Sequence, residues 1–251
     1  KVIAWTHGTV GVAPNCSPSL VPNYASALVG IAEFIEAGYV IAATDYQGLG
    51  TPGPHPYLVG DAEGMGALDN VRAARNLAEA DASADFVVWG ESQGGHASLF
   101  AGELASTYAP ELNLHGVVAS APASDLVDLF KTKTSEGTAV GNILISMALS
   151  SWARVYDQAD LDQIVTPAAR PVVNRIAENC IQNPAQILAS VPAASALNVT
   201  FLSNPPWDTE PWRAILADNT PGDARTDTPI LITQGEADPV VSPAVQQQFV
   251  D

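Results

Sequence analysis

Gly90-Glu91-Ser92-Gln93-Gly94 is a Gly-x-Ser-x-Gly pentapeptide set directly after the apolar run 86–89. The chemistry such a serine offers is nucleophilic attack. On a sharp strand-to-helix turn it sits in a strained backbone conformation at the top of a parallel sheet, with its Oγ exposed. The flanking residues predict that setting: 85–89 reads as a strand and 93 to about 108 as a helix, with Ala97, Phe100, Leu104 and Tyr108 as its inward stripe. The glycines have a mechanical reason, because a Cβ at Gly90 or Gly94 would clash where strand and helix close around Ser92.

A serine hydroxyl becomes a nucleophile through a base, usually a histidine oriented by a carboxylate. In enzymes built around such an elbow the chain order is Ser, then Asp or Glu, then His. Asp238 meets the requirement for the acid: it lies five residues past the apolar run 229–233, at the strand end where sites form, and opens the turn Asp238-Pro239-Val240-Val241. Glu236 is the second choice, and a turn-forming Asp238 is the plainer alternative. The four histidines, His7, His55, His96 and His115, all precede Asp238. His96 belongs to the elbow helix, whose side chains pack down onto the sheet; His115 starts a strand; His55 stands in a Pro-rich loop. The base is therefore expected beyond Asp251, and the chain is expected to be a piece of a longer protein.

Acyl transfer builds negative charge on the carbonyl oxygen, and each backbone N–H aimed at it lowers the barrier by roughly 3–4 kcal/mol. One donor is expected at Gln93, the residue after the nucleophile. The other is expected at Thr9, in the Thr6-His7-Gly8-Thr9-Val10-Gly11 exit of the first strand, where the hydroxyl adds a possible bond and His7 reads as a brace. Asp45 reads as a tie for loop amides, not as the triad acid.

The elements that must position these residues alternate through the first half of the chain. Strands are predicted at 2–5, 39–43, 85–89 and 114–120, and helices at 25–36, 68–80 and 93–108, the first stopped by Gly38. Short, nearly continuous apolar strands separated by helices imply a parallel sheet covered on both faces. Between about 123 and 226 the alternation stops; helical stretches at 139–152, 161–164, 172–182 and 184–189 are predicted there, without a clear strand. The expected division is a core over 1–122, a helical cap over 123–226, and the core resumed over 227–251. The stretch Ile143 to Trp152 is apolar almost all round, so it must be buried by protein or by substrate. Trp207 and Trp212 are candidates for a pocket rim.

Composition excludes several classes. A net charge of −17, with three lysines and seven arginines, repels phosphate backbones, so no nucleic-acid partner is expected. No apolar run reaches the ~18 residues of a membrane span. No Cys/His cluster has zinc-ligand spacing; neither a metal nor a cofactor is expected. Cys16 and Cys180 allow one disulfide or two free buried thiols.

In order along the chain, Thr6-His7-Gly8-Thr9, Cys16-Ser17-Pro18-Ser19, Thr44-Asp45-Tyr46-Gln47-Gly48-Leu49-Gly50, Tyr57-Leu58-Val59-Gly60, Glu63-Gly64, Leu68-Asp69-Asn70-Val71-Arg72-Ala73, Gly90-Glu91-Ser92-Gln93-Gly94-Gly95 and Gly235-Glu236-Ala237-Asp238 resemble the secretory lipase family of α/β-hydrolases, the lipase A type. The resemblance implies an α/β-hydrolase fold with a helical cap, Ser92 as nucleophile, Asp238 as acid and a Cys16–Cys180 disulfide. It also implies a secreted hydrolase of carboxylic esters, including acylglycerols. The expected partner is a small-molecule or lipid ester, and a monomer is expected. The competing readings are a non-catalytic binder of an apolar ligand with the same fold, and an acyltransferase or amidase that keeps the elbow.

Overall fold

The structure, a computed structural model, describes residues 1–28, 30–199 and 201–251. Five parallel strands form one sheet: β1 (Val2–Thr6), β2 (Val40–Ala43), β3 (Asp85–Glu91), β4 (Asn113–Ser120) and β5 (Ile230–Thr233), in the order β2-β1-β3-β4-β5. Register brings Thr6 beside Gly90 and Glu91 beside Ser120, so the C-terminal ends of β1, β3 and β4 lie together. The order reverses between β1 and β3. Their exits diverge there, and the resulting crevice at the carboxyl ends of the strands is where open α/β sheets bind ligands.

Helices α1 (Ile31–Glu36), α2 (Gly60–Arg75) and α3 (Gln93–Tyr108) cover this sheet. The helix predicted at 25–36 is shorter than expected. Tyr24–Ala27 forms a 3₁₀ turn, and Gly30, in the left-handed conformation at φ 72°, precedes a helix that begins at Ile31. Val29, inside that predicted helix, lies outside the described residues. The helix predicted at 68–80 instead starts at Gly60 and ends at Arg75, with a 3₁₀ turn at Ala78–Ala80. The elbow helix has its predicted span. Apolar residues of β1, β3 and β4 and of α2 and α3, among them Val2, Leu68, Val71, Phe86, Val88, Leu99 and Val117, form one buried cluster.

Between β4 and β5 run α4 (Leu126–Glu136), α5 (Ala139–Val155), α6 (Arg170–Ala177), α7 (Pro184–Ser195) and α8 (Trp212–Asp218). Side-chain caps at Asp125, Thr138 and Asn183 accept hydrogen bonds from the first-turn amides of α4, α5 and α7. These helices share a second hydrophobic cluster, and Ile143, Met147, Leu149, Trp152 and Trp212 lie within it. Trp212 is 0% exposed and its Nε1 donates to Gln163 Oε1 at 2.8 Å, so it is core and not rim. The helix predicted at 172–182 stops at Ala177, because Cys180 pairs as a short antiparallel bridge with Gly11. After β5 comes α9 (Pro243–Val250). Among the described residues no helix is long and apolar enough to cross a membrane.

Candidate active site

Ser92 joins β3 to α3 at φ 57°, ψ −118°, a region that costs a non-glycine residue about 1–3 kcal/mol and is kept only where the surroundings over-determine it. Those surroundings are explicit. The Ser92 N–H donates to Ser120 O at 2.9 Å, and its carbonyl accepts from the amides of His96 at 3.1 Å and Ala123 at 3.3 Å. Thr6 Oγ1 reaches across from β1 and donates to Gly94 O at 2.8 Å, closing the elbow from the other side. A Cβ on Gly90 would stand 2.1 Å from Thr6 Oγ1, and one on Gly94 would stand 1.9 Å from Thr6 O. The expected mechanical role of both glycines is thus met by a named neighbour.

Ser92 opens into a narrow cavity of about 50 Å³ whose walls include Tyr57, Leu126, Phe130, Ile145 and Val241. The α5 stretch thus does two jobs: most of it is core, while Leu144 and Ile145 face this cavity. Phe130 stacks on Trp152 with centroids 5.6 Å apart, which stiffens the wall. Lys133, a residue the sequence reading passed over, lines the cavity too. It is 6% exposed, with Nζ donating to Glu136 Oε2 at 2.6 Å and to Pro239 O at 3.1 Å. The signal was present: Leu126, Leu129, Phe130 and Lys133 share one face of α4 at helical spacing.

Gln93 is the first residue of α3, where a backbone N–H has no intrahelical acceptor. The loop after β1 passes alongside, and a Cβ built on Gly8 would lie 3.8 Å from that of Ser92. Thr9 Oγ1 is 2.9 Å from the Tyr57 hydroxyl. Burial holds the Tyr57 phenol well above its ordinary pKa, so it acts as a neutral hydroxyl. Tyr57 itself is fastened to α5: its N–H donates to Ser151 Oγ and its carbonyl accepts from Trp152 Nε1, both at 2.9 Å. His7 braces the loop, with Nδ1 2.6 Å from Gly8 O, and its pKa is lowered by burial. Asp45 ties down a loop amide, accepting from Ser19 N at 2.9 Å. Cys16 and Cys180 are bonded across 164 residues, and beside them Ile181 N donates to Val10 O at 2.8 Å. The loop that flanks Ser92 is therefore stapled to the α4–α8 region.

Asp238 stands half-buried past β5. Its Oδ1 accepts from the amides of Val240 at 2.8 Å and Val241 at 3.0 Å, and its Oδ2 accepts from Gln234 Nε2 at 3.1 Å. Val240 and Val241, immediately downstream, line the Ser92 cavity. Glu236 is exposed. All four histidines are engaged away from Ser92. His115 pairs with Asp85 at the surface. His55 Nδ1 donates to Gln47 O at 2.9 Å, and burial pushes its pKa down to about 4. His96 lies between Glu63 Oε2 and Asn219 O, 2.8 Å from each. Glu63 is 0% exposed; an acidic residue in the first turn of a helix ordinarily reads as a solvated N-terminal charge.

The model of the secretory lipase family matches residues 17–249. Lipase A of Moesziomyces aphidis is 31% identical over 127 residues, 46% of this chain and 27% of that protein. Lipase 6 of Candida albicans is 28% identical over 197 residues, 72% of this chain and 41% of that protein. The matched stretches thus span well under half the length of these relatives. The structure of Candida antarctica lipase A superposes with a TM-score of 0.78 at 18% identity, over 100% of this chain and 61% of the other, so the two share a fold. With the parallel sheet, the elbow and a match over nearly its whole length, the chain belongs to the secretory lipase family of α/β-hydrolases.

Proposed function

We propose that the protein is a secreted carboxylic ester hydrolase that takes apolar esters, acylglycerols included, with Ser92 as nucleophile and Asp238 as acid. The observation that carries the reading is Ser92 itself, held in a strained conformation at the N-terminus of α3 and facing an apolar cavity, with the Thr9 loop beside it. Ser92 Oγ attacks the ester carbonyl carbon as its proton passes to a histidine base. The oxyanion is held by the Gln93 N–H and the Thr9 segment. The carbon–oxygen bond to the alcohol then breaks, the base returns the proton to the departing alcohol, and an acyl-serine remains. Water, deprotonated by the same base, attacks that ester, releasing the carboxylic acid and restoring Ser92.

Each of the four histidines bonds a group other than the Ser92 hydroxyl, so none of them is assigned as the base. Residues 123–226 act as the cap, presenting Leu126, Phe130 and Ile145 to the acyl group. The apolar cavity also favours a second reading, a binder of an apolar ligand without turnover. Hydrolysis of p-nitrophenyl butyrate by the full-length protein and its Ser92→Ala variant separates the two. Turnover that vanishes in the variant is expected; turnover that survives it removes Ser92 from the mechanism, and ligand binding with no turnover leaves the binder.

A further inference from the structure

The buried carboxylate of Glu63, which the triad does not use, has three hydrogen-bond partners beside the site. Its Oε1 accepts from the Leu58 N–H at 2.9 Å and from Gln93 Nε2 at 2.6 Å. Its Oε2 faces His96 Nδ1 at 2.8 Å. We propose that Glu63 is a positioning residue for the oxyanion site: one buried carboxylate oxygen sets the spacing between the Gln93 N–H and the Tyr57–Thr9 pair. The proposal rests on the ester-hydrolase reading above.

The two bonds to Oε1 come from opposite halves of that site. Gln93 carries the N–H expected to face the oxyanion. Leu58 follows Tyr57, whose hydroxyl meets Thr9, and holds a left-handed conformation at φ 52°. A leucine stays in that conformation only when its surroundings hold it, and the Glu63 bond to its N–H supplies part of that restraint. The Gln93 carboxamide is locked in one orientation. His55 donates through Nδ1 to Gln47 O, so its Nε2 accepts, and Gln93 Nε2 stands 3.1 Å from it while also donating to Glu63. A flipped amide would set its oxygen against two acceptors.

A buried carboxylate requires compensation. His96 is its partner, with one ring nitrogen 2.8 Å from Glu63 Oε2 and the other 2.8 Å from the Asn219 carbonyl. Asn219 closes α8, accepts from the Gly60 N–H through Oδ1 at 2.9 Å and donates to the Tyr156 hydroxyl of the residue after α5 at 2.8 Å. The spacing of the oxyanion donors is thereby referred to the α4–α8 region as well as to the sheet.

The test is a variant series in the full-length protein with p-nitrophenyl butyrate. Glu63→Gln keeps an oxygen toward Leu58 and Gln93 and turns its NH₂ toward His96 Nδ1, so kcat stays within about threefold of wild type. Glu63→Ala removes the oxygen, and kcat falls by about 100-fold with KM nearly unchanged, the size of losing one aligned oxyanion donor. Should Glu63→Ala not fold, Gln93→Ala cuts the same link while keeping the backbone N–H, and the same kcat loss is expected. A kcat within threefold of wild type in the variant that cuts the link, or a loss that only tracks the folded fraction, overturns the proposal. If the wild-type protein hydrolyses no ester, it is the functional reading that fails. The positioning is then decided on this chain by amide hydrogen exchange over residues 8–10 and 92–94, which must quicken in Gln93→Ala but not in Glu63→Gln; unchanged exchange overturns it.

Discussion

The exits of β3 and β5 each present a candidate catalytic residue at the same edge of the sheet, yet they are built in opposite ways. Ser92 leaves a central strand paired on both sides, its backbone is held by Ser120, His96 and Ala123, and the helix that follows is largely buried. Asp238 leaves the edge strand β5, on which Ile230 and Leu231 are 45% and 57% exposed, and its bonds come from its own turn and from Gln234. Its link to the helical region runs through its neighbour, by Lys133 Nζ to Pro239 O. Strain at a nucleophile needs dense support on every side, whereas a carboxylate that only has to be aimed is held by two amides in a turn.

Substitutions at the two exits should have different consequences for stability. The largest effect is expected on activity and should be shared by both exits: Ser92→Ala and Asp238→Asn each lower kcat of the full-length protein by about 10⁴-fold or more. Activity retained in Asp238→Asn would mean that the β5 exit does not carry the acid. Next come the effects on stability, which should fall on the β3 side alone. Replacing Cys16 and Cys180 by serine releases a loop of 164 residues, a loss of about 3–5 kcal/mol in urea unfolding. Gly94→Ala forces a Cβ against Thr6 O and costs about 3 kcal/mol, while Gly235→Ala, with nothing within 4 Å, changes stability by under about 0.5 kcal/mol. Equal losses for the two glycines would erase the contrast.

The smallest effect is a pH dependence. His55 binds its proton near pH 6.5 when unfolded and near pH 4 when folded. Below pH 6.5 the unfolded chain therefore gains protons that the folded chain does not, and stability falls as pH falls. Between pH 6.5 and 5 the loss is about 2 kcal/mol. Urea midpoints across that window should decline less steeply in His55→Gln, and an unchanged slope would mean that His55 is not held neutral by its burial.

The elbow was legible because its causes are local. A strand, a turn with glycines on either side of one serine, and a helix occupy 24 consecutive residues from Asp85 to Tyr108, and each element is written in its own periodicity. The helix predicted at 25–36 failed for a reason also written locally, since Gly30 favours the left-handed conformation it adopts. Trp212 is a rim candidate in sequence, but its burial depends on α4 to α8 packing into a cluster of their own. The pairing of Glu63 with His96 was not legible in sequence. Thirty-three positions separate them, and the partner that completes the pair, Asn219, is 123 residues beyond His96.

Sequence alone specified the parallel strands, the turn that strains Ser92, the carboxylate past β5 and a strongly acidic net charge, because residue type and spacing along the chain carry each of them. Tertiary structure decided which polar groups lose their water. Glu63 looks like a surface charge in any local window, and it is buried only because distant segments close over it and supply the partners that replace solvent.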